Sequence, residues 1–199
     1  MTHQLGSKPH LGGTWAGGDP NSWAPKTWEH ILKTYPQIKS VIDVGCGDGY
    51  SLEWFNRYSN GEYYAIGVEG DEGSVRRCKD KNLPVFKHDY TEGNSQIEIG
   101  KDFHPILIWC CEFVEHVEER FIDNFFEDFK IGNYIAMTHA LPGQAGHHHV
   151  NCQNPEYWIP KIEALGYRLN HPFSMELRAI AASENALHVA NTLLFFERI

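Results

Sequence analysis

Glycine recurs at alternate positions behind an acid in Asp43-Val44-Gly45-Cys46-Gly47-Asp48-Gly49. Such spacing lets a backbone bend sharply and approach a ligand with no Cβ in the way. A dinucleotide fingerprint, G-x-G-x-x-G, needs its last glycine at position 50, where this chain has Tyr50. Asp43 and Asp48 flank the turn, where they would repel a pyrophosphate but attract a sulfonium or an ammonium. The ligand that suits these residues is a cation, not a phosphate.

A second group lies in Cys110-Cys111-Glu112-Phe113-Val114-Glu115-His116. If a helix begins near Glu112, then Glu112, Glu115 and His116 share one face at i, i+3 and i+4. Two carboxylates and an imidazole suit Mg²⁺ or Mn²⁺. Alternatively, a histidine near its own pKa can take the proton of a hydroxyl nucleophile. His147, His148 and His149 follow in a later loop, and an alternating backbone there would turn His147 and His149 to one side and His148 to the other. His139, just past an apolar run, is a further candidate base or acceptor contact. The catalytic candidates are therefore His116, His139 and His149, and the metal candidates Glu112, Glu115, His116, His147 and His149.

Elements that could position these residues are legible in the alternation of apolar runs with amphipathic stretches. Strands are expected at Val41–Cys46, Tyr64–Glu69, Val85–His88, Ile106–Cys110 and Tyr134–Thr138, and helices after Tyr50 and through Val75. Phe121, Ile122, Phe125, Phe126 and Phe129 predict a helix along Glu112–Lys130. Asn154 and Pro155 start another helix and Gly166 stops it, with Pro160 expected to break or kink it. Leu187–Glu197 reads as one long closing strand. Residues 1–25, rich in Gly, Pro and Trp, read as an irregular arm able to close over a ligand, and a helix starts near Pro25 and runs through Trp28, Ile31 and Leu32. The expected fold is α/β: a doubly wound, Rossmann-like, seven-stranded sheet, mostly parallel with an antiparallel last strand, and helices on both faces. Residues 26–199 form the core of a single domain, 1–199.

An acid followed by G-x-G-x-G after a first strand resembles the signature of class I S-adenosylmethionine-dependent methyltransferases. The resemblance runs from about Val41 to Ile199. It implies that Asp43, Gly45, Cys46, Gly47 and Gly49 cradle the donor, together with Gly70 and Cys110. It makes Glu69 the ligand of the ribose hydroxyls and Asp89 that of the adenine amino group, with Tyr90 beside it. The E-x-x-E-H element is similar to that of two metal-dependent groups, the quinone-pathway and the small-RNA ribose O-methyltransferases. The latter add a histidine from a later loop. Other class I enzymes carry a bare E-H here without metal, so the two readings stand side by side. The expected activity is O-methylation of a small hydroxylated acceptor such as a sugar or glycan, with Mg²⁺ or Mn²⁺ as the candidate ion. The alternatives are a metal-independent N- or carboxyl-methyltransferase and a catalytically inert donor-binding partner protein.

Composition narrows the partners. A net charge of −9 over 199 residues lacks the cationic footprint of a nucleic-acid binder. No apolar run approaches the roughly 18 residues of a membrane helix. Five cysteines with no C-x-x-C pair fit reduced thiols better than disulfides or a zinc ribbon. With no secretory pattern at Met1–Lys8, a cytoplasmic protein is expected.

Overall fold

A computed structural model describes residues 3–6, 8–15, 17–57 and 63–199. The N-terminal residues fold back on the molecule. β1 (His3–Leu5) and β2 (Gly12–Trp15) pair antiparallel. The expected irregular arm is thus corrected, because part of it is a hairpin. Strands of three and four residues are too short to display alternation, and Gly12 and Gly13, at φ +86° and +80°, count against a strand in any propensity scale. α1 (Pro25–Thr34) buries Trp28, Ile31 and Leu32. Its N-cap, Ala24, has no acceptor to offer. Glu184 from the other end of the chain caps it instead, accepting from Lys26 N at 2.9 Å and Thr27 N at 3.1 Å.

The sheet follows as β3 (Ser40–Val44), α2 (Tyr50–Arg57), β4 (Tyr64–Glu69), α3 (Glu72–Asp80), β5 (Val85–Lys87), β6 (Ile106–Cys110), α4 (Ile122–Phe129) and β7 (Tyr134–Met137). The chain then adds α5 (Pro155–Glu163), β8 (Tyr167–Leu169), α6 (His171–Ser183), α7 (Leu187–Thr192) and β9 (Leu194–Arg198). The seven strands lie in the order β5-β4-β3-β6-β7-β9-β8, and β9 alone runs antiparallel to its neighbours. This is the expected doubly wound sheet. Consecutive residues serve opposite faces: Val41, Leu107 and Phe195 join α1, α2, α6 and α7, whereas Ile42, Ile108 and Phe196 join α4 and α5. Burial on both sides explains why the inner strands read as unbroken apolar runs. Strand order reverses at β3, and a crevice opens there at the carboxyl ends of the strands.

Three further expectations are corrected. Glu112–Lys130 is no single helix: Glu112 takes φ +52°, 3₁₀ turns occupy Val114–His116 and Glu119–Phe121, and α4 begins only at Ile122. Pro160 does not end α5, which runs through it to Glu163 with Pro160 on its exposed side. Leu187–Glu197 is not one strand, since its first half is α7, which follows a turn with Asn185 at φ +63°. β8 and α6 fill a stretch to which no element was assigned. Among the described residues no helix is long and apolar enough to cross a membrane.

Candidate active site

Gly45, Gly47 and Gly49 take φ of +76°, +52° and +76°, values that side-chain-bearing residues adopt only with strain. Each also leaves room for a neighbour. A Cβ on Gly45 would collide with the Phe113 ring, one on Gly47 would lie 3.1 Å from Thr14 Cγ2, and one on Gly49 would sit 2.8 Å from Cys78 Sγ. The turn is braced by Glu69 at the end of β4, which accepts from Gly47 N at 2.8 Å and from Asp71 N at 2.7 Å. Burial raises the Glu69 carboxyl, against the pull of those backbone N–H groups. Asp43, buried at the end of β3, is pushed up to about 7 by burial, with the Glu69 charge adding and a hydrogen bond from Ser51 opposing.

The turn opens into a cavity of about 900 Å³, within the range of ligand-binding clefts. Of the expected site residues, Asp43, Gly45, Cys46, Gly47, Glu69, Gly70, Asp89, Tyr90, Glu112, His116, His147 and His149 lie on its wall. Gly49, Cys110, Glu115 and His139 do not. Gly49 serves the packing of α2 on Cys78 and Leu83, and Cys110 is fully buried at the end of β6. His139 is corrected as a catalytic candidate: it is buried in the core past β7, its backbone N–H on Thr192 Oγ1, and burial lowers its ring to about 4. Asp89 caps the 3₁₀ turn Tyr90–Glu92 through Thr91 N at 3.0 Å, and its oxygens also meet Lys8 Nζ at 2.6 Å and His10 Nε2 at 3.0 Å. Burial alone would raise it, but the Lys8 and Thr91 hydrogen bonds prevail and hold it well below the usual carboxylate range.

The donor-type side chains expected on a helix face are gathered by loops. Glu115, His116 and His149 place one ligand atom each within 4.8 Å of one another. Both Glu115 oxygens are buried without a hydrogen-bond partner among the described residues. Burial and the Glu112 charge raise that carboxyl well above its usual range. His116 Nδ1 donates to His147 O at 2.7 Å and His149 Nδ1 to Gln144 O at 3.0 Å. A carbonyl only accepts, so Nδ1 carries a proton in both rings and Nε2 is the nitrogen left to face a ligand. The His116 ring is lowered to about 4 by burial and by His149. Orphaned carboxylate oxygens clustered with two imidazole rings fit a divalent cation. Glu112 stands next to this trio, its carboxylate shared between Thr138 Oγ1 at 3.2 Å and His188 Nδ1 at 3.4 Å. His147 and His149 face the cavity and His148 does not, an outcome produced by a turn with His148 at φ +46° and not by an extended strand.

Sequence reasoning missed part of the wall. His188 lines the cavity with Asp19, to which its Nε2 is paired at 3.1 Å, and the hydrogen bond to Asp19 raises its pKa against burial. Its stretch reads as a strand, so nothing local marked it. The arm supplies much of the rest, from His10 to Trp23.

The family model described as Methionine biosynthesis protein MetW matches residues 26–108. No curated protein matches the chain. Among solved structures, the methyltransferase domain of bacterial CtHen1 (CtHen1-C) is similar at TM-score 0.59 and 18% identity, over 90% of this chain and 99% of that one. The sugar N-methyltransferase KedS8 from Streptoalloteichus sp ATCC 53650 gives TM-score 0.62 and 13% identity, over 92% and 89% of the two chains. An S-adenosylmethionine-dependent methyltransferase from Archaeoglobus fulgidus gives 0.51 and 18%, over 88% and 95%. The fold is the Rossmann-like methyltransferase fold.

Proposed function

We propose that this chain transfers the methyl group of S-adenosylmethionine to a hydroxyl of a small acceptor such as a sugar or glycan. One observation carries the reading: three glycines at positive φ bend β3 into a cavity whose wall offers seven carboxyl side chains and, among the described residues, no lysine or arginine. Such a wall receives a sulfonium and its ammonium and repels a pyrophosphate. When bound, the donor supplies a methyl on cationic sulfur: the C–S bond breaks as the C–O bond forms, and the hydroxyl proton leaves. The residues of the chain do the aligning on which an in-line displacement depends. The turn at Gly45–Gly49 takes the methionine end, and Glu69 has lone pairs left for the ribose. Tyr90, 5% exposed and bonded to Asp128, forms a rigid wall beside Asp89 for the base.

Glu115, His116 and His149, with Glu112 adjoining, would hold Mn²⁺ or Mg²⁺ beside the acceptor. A bound ion supplies positive charge that favours loss of the hydroxyl proton. His116, neutral at physiological pH, keeps its Nε2 lone pair for either an ion or a proton. Titration calorimetry tests the reading: S-adenosylmethionine and S-adenosylhomocysteine bind and compete, and NAD gives no heat. If neither sulfur compound binds, the reading fails.

A further inference from the structure

From the glycine turn the cavity runs to a mouth built by the arm segment 19–23 and the start of α7. Two large apolar side chains line it while left half in water: Trp23 is 42% exposed and Leu187 50%. Exposed apolar side chains gathered at a cavity mouth mark a binding surface. The Trp23 ring and the backbone beside Leu187 are anchored. His188 N donates to Asn21 O at 3.0 Å, His188 pairs with Asp19, and Trp23 meets Trp28 edge to face with ring centroids 5.2 Å apart. The polar side chains of the wall there include Asp19, Glu112, Glu184 and His188.

Charge decides what can enter. No lysine or arginine is among the described residues of the wall. Basic side chains around the wall are paired with acids: Lys8 to Asp89 and Glu92, Arg77 to Asp48, Lys81 to Glu53, and Arg57, which adjoins the outer side of Trp23, also to Glu53. His188 already lies between two carboxylates. A phosphate or carboxylate brought here would meet like charge and no free cation.

We propose that this mouth is the acceptor subsite and that it takes a non-anionic, hydroxyl-bearing ring laid against Trp23 and Leu187, with the hydroxyl toward Glu112 and His188. The proposal rests on the methyl-transfer reading and names its substrate class. A ring offers a flat face to the indole, and its hydroxyls satisfy the polar groups behind it. An anionic nucleic-acid acceptor has no place in it.

The test uses the full chain saturated with S-adenosylhomocysteine and four ring probes, read by calorimetry or ligand-observed NMR. Methyl glucoside and catechol separate a sugar from a phenol, and glucose 6-phosphate and phenyl phosphate are their anionic counterparts. At least one neutral probe binds, and its phosphorylated counterpart binds at least tenfold more weakly. Trp23→Ala weakens the neutral probe at least fivefold while the affinity for S-adenosylhomocysteine stays within twofold. Leu187→Ser, a change at a half-exposed site, does the same in lesser degree and decides the matter if Trp23→Ala does not fold. The proposal is overturned if no neutral probe binds the complex, if the phosphorylated probes bind as well as the neutral ones, or if the substitutions leave probe affinity unchanged. Failure of S-adenosylhomocysteine itself to bind would instead sink the methyl-transfer reading.

Discussion

Asp43 ionises against its surroundings, and that has two measurable consequences. Its carboxyl is held at about 7 by burial, so below that pH it is largely protonated and offers no charge to a cationic donor. Donor affinity should rise roughly tenfold per pH unit below 7 and level off above it. Asp43→Asn should flatten that profile in calorimetry between pH 5.5 and 8.5. The sign for stability is opposite to that of a paired carboxylate. The unfolded chain releases this proton near 4 and the folded one near 7, so the contribution of Asp43 is fully present below 4 and is lost as pH climbs to 7. Asp43→Asn should therefore show a shallower fall in thermal midpoint from pH 5 to 7.5 than the unsubstituted protein. At the other group, His149→Ala removes one of three converging donors and should weaken Mn²⁺ binding roughly 10- to 100-fold. The same titration with S-adenosylhomocysteine should be nearly unchanged, and an unaltered Mn²⁺ isotherm would remove the case for an ion.

The glycine turn and the helices make their own predictions. Gly45→Ala forces an alanine to φ +76° and drives its Cβ into Phe113. The left-handed backbone costs ~1–2 kcal/mol and the crowding ~1–3 more, both readable by urea denaturation. Gly143, at φ +86° with nothing within 4 Å of its would-be Cβ, is the control. Gly143→Ala should show only the backbone part. Pro160 sits exposed inside α5, where it removes a hydrogen bond and crowds the preceding turn. Pro160→Ala should stabilise the protein by about 1–2 kcal/mol, the helix gain less the entropy returned to the unfolded chain. The strand pattern of the sheet was legible because burial on both faces forces apolar runs on β3, β4, β6 and β7. α7 was not, because Leu187–Thr192 has a composition that suits either element and its neighbours in space choose the helix. Glu112 misled in the same way: i, i+3 spacing signals a helix only where the backbone is helical, and Glu112 departs from it.

For the whole molecule, ligand binding should appear as stability. Saturation with S-adenosylhomocysteine at 100 times its dissociation constant adds ~2.7 kcal/mol, equivalent to roughly 5–10 °C in thermal midpoint for a chain of this size. NAD at equal concentration should leave the midpoint where it was. The doubly wound arrangement came with the family resemblance, whereas the apolar inner strands and the glycine turn were legible directly in the residues. Those depend on local steric demands, such as φ values only glycine tolerates, and on apolar periodicity, both written residue by residue. The residues also offered Glu112, Glu115, His116, His147 and His149 as metal candidates, the first three on the premise of a helix that does not form. Packing of the elements alone brings Glu115, His116 and His149 together, buries His139 away from the cavity, and sets Asp19, Trp23, Leu187 and His188 along its wall. Pairs such as Asp19 with His188 lie 169 positions apart in sequence, and no local energy favours their meeting. They meet because the arm and α7 both pack along the same face of the core.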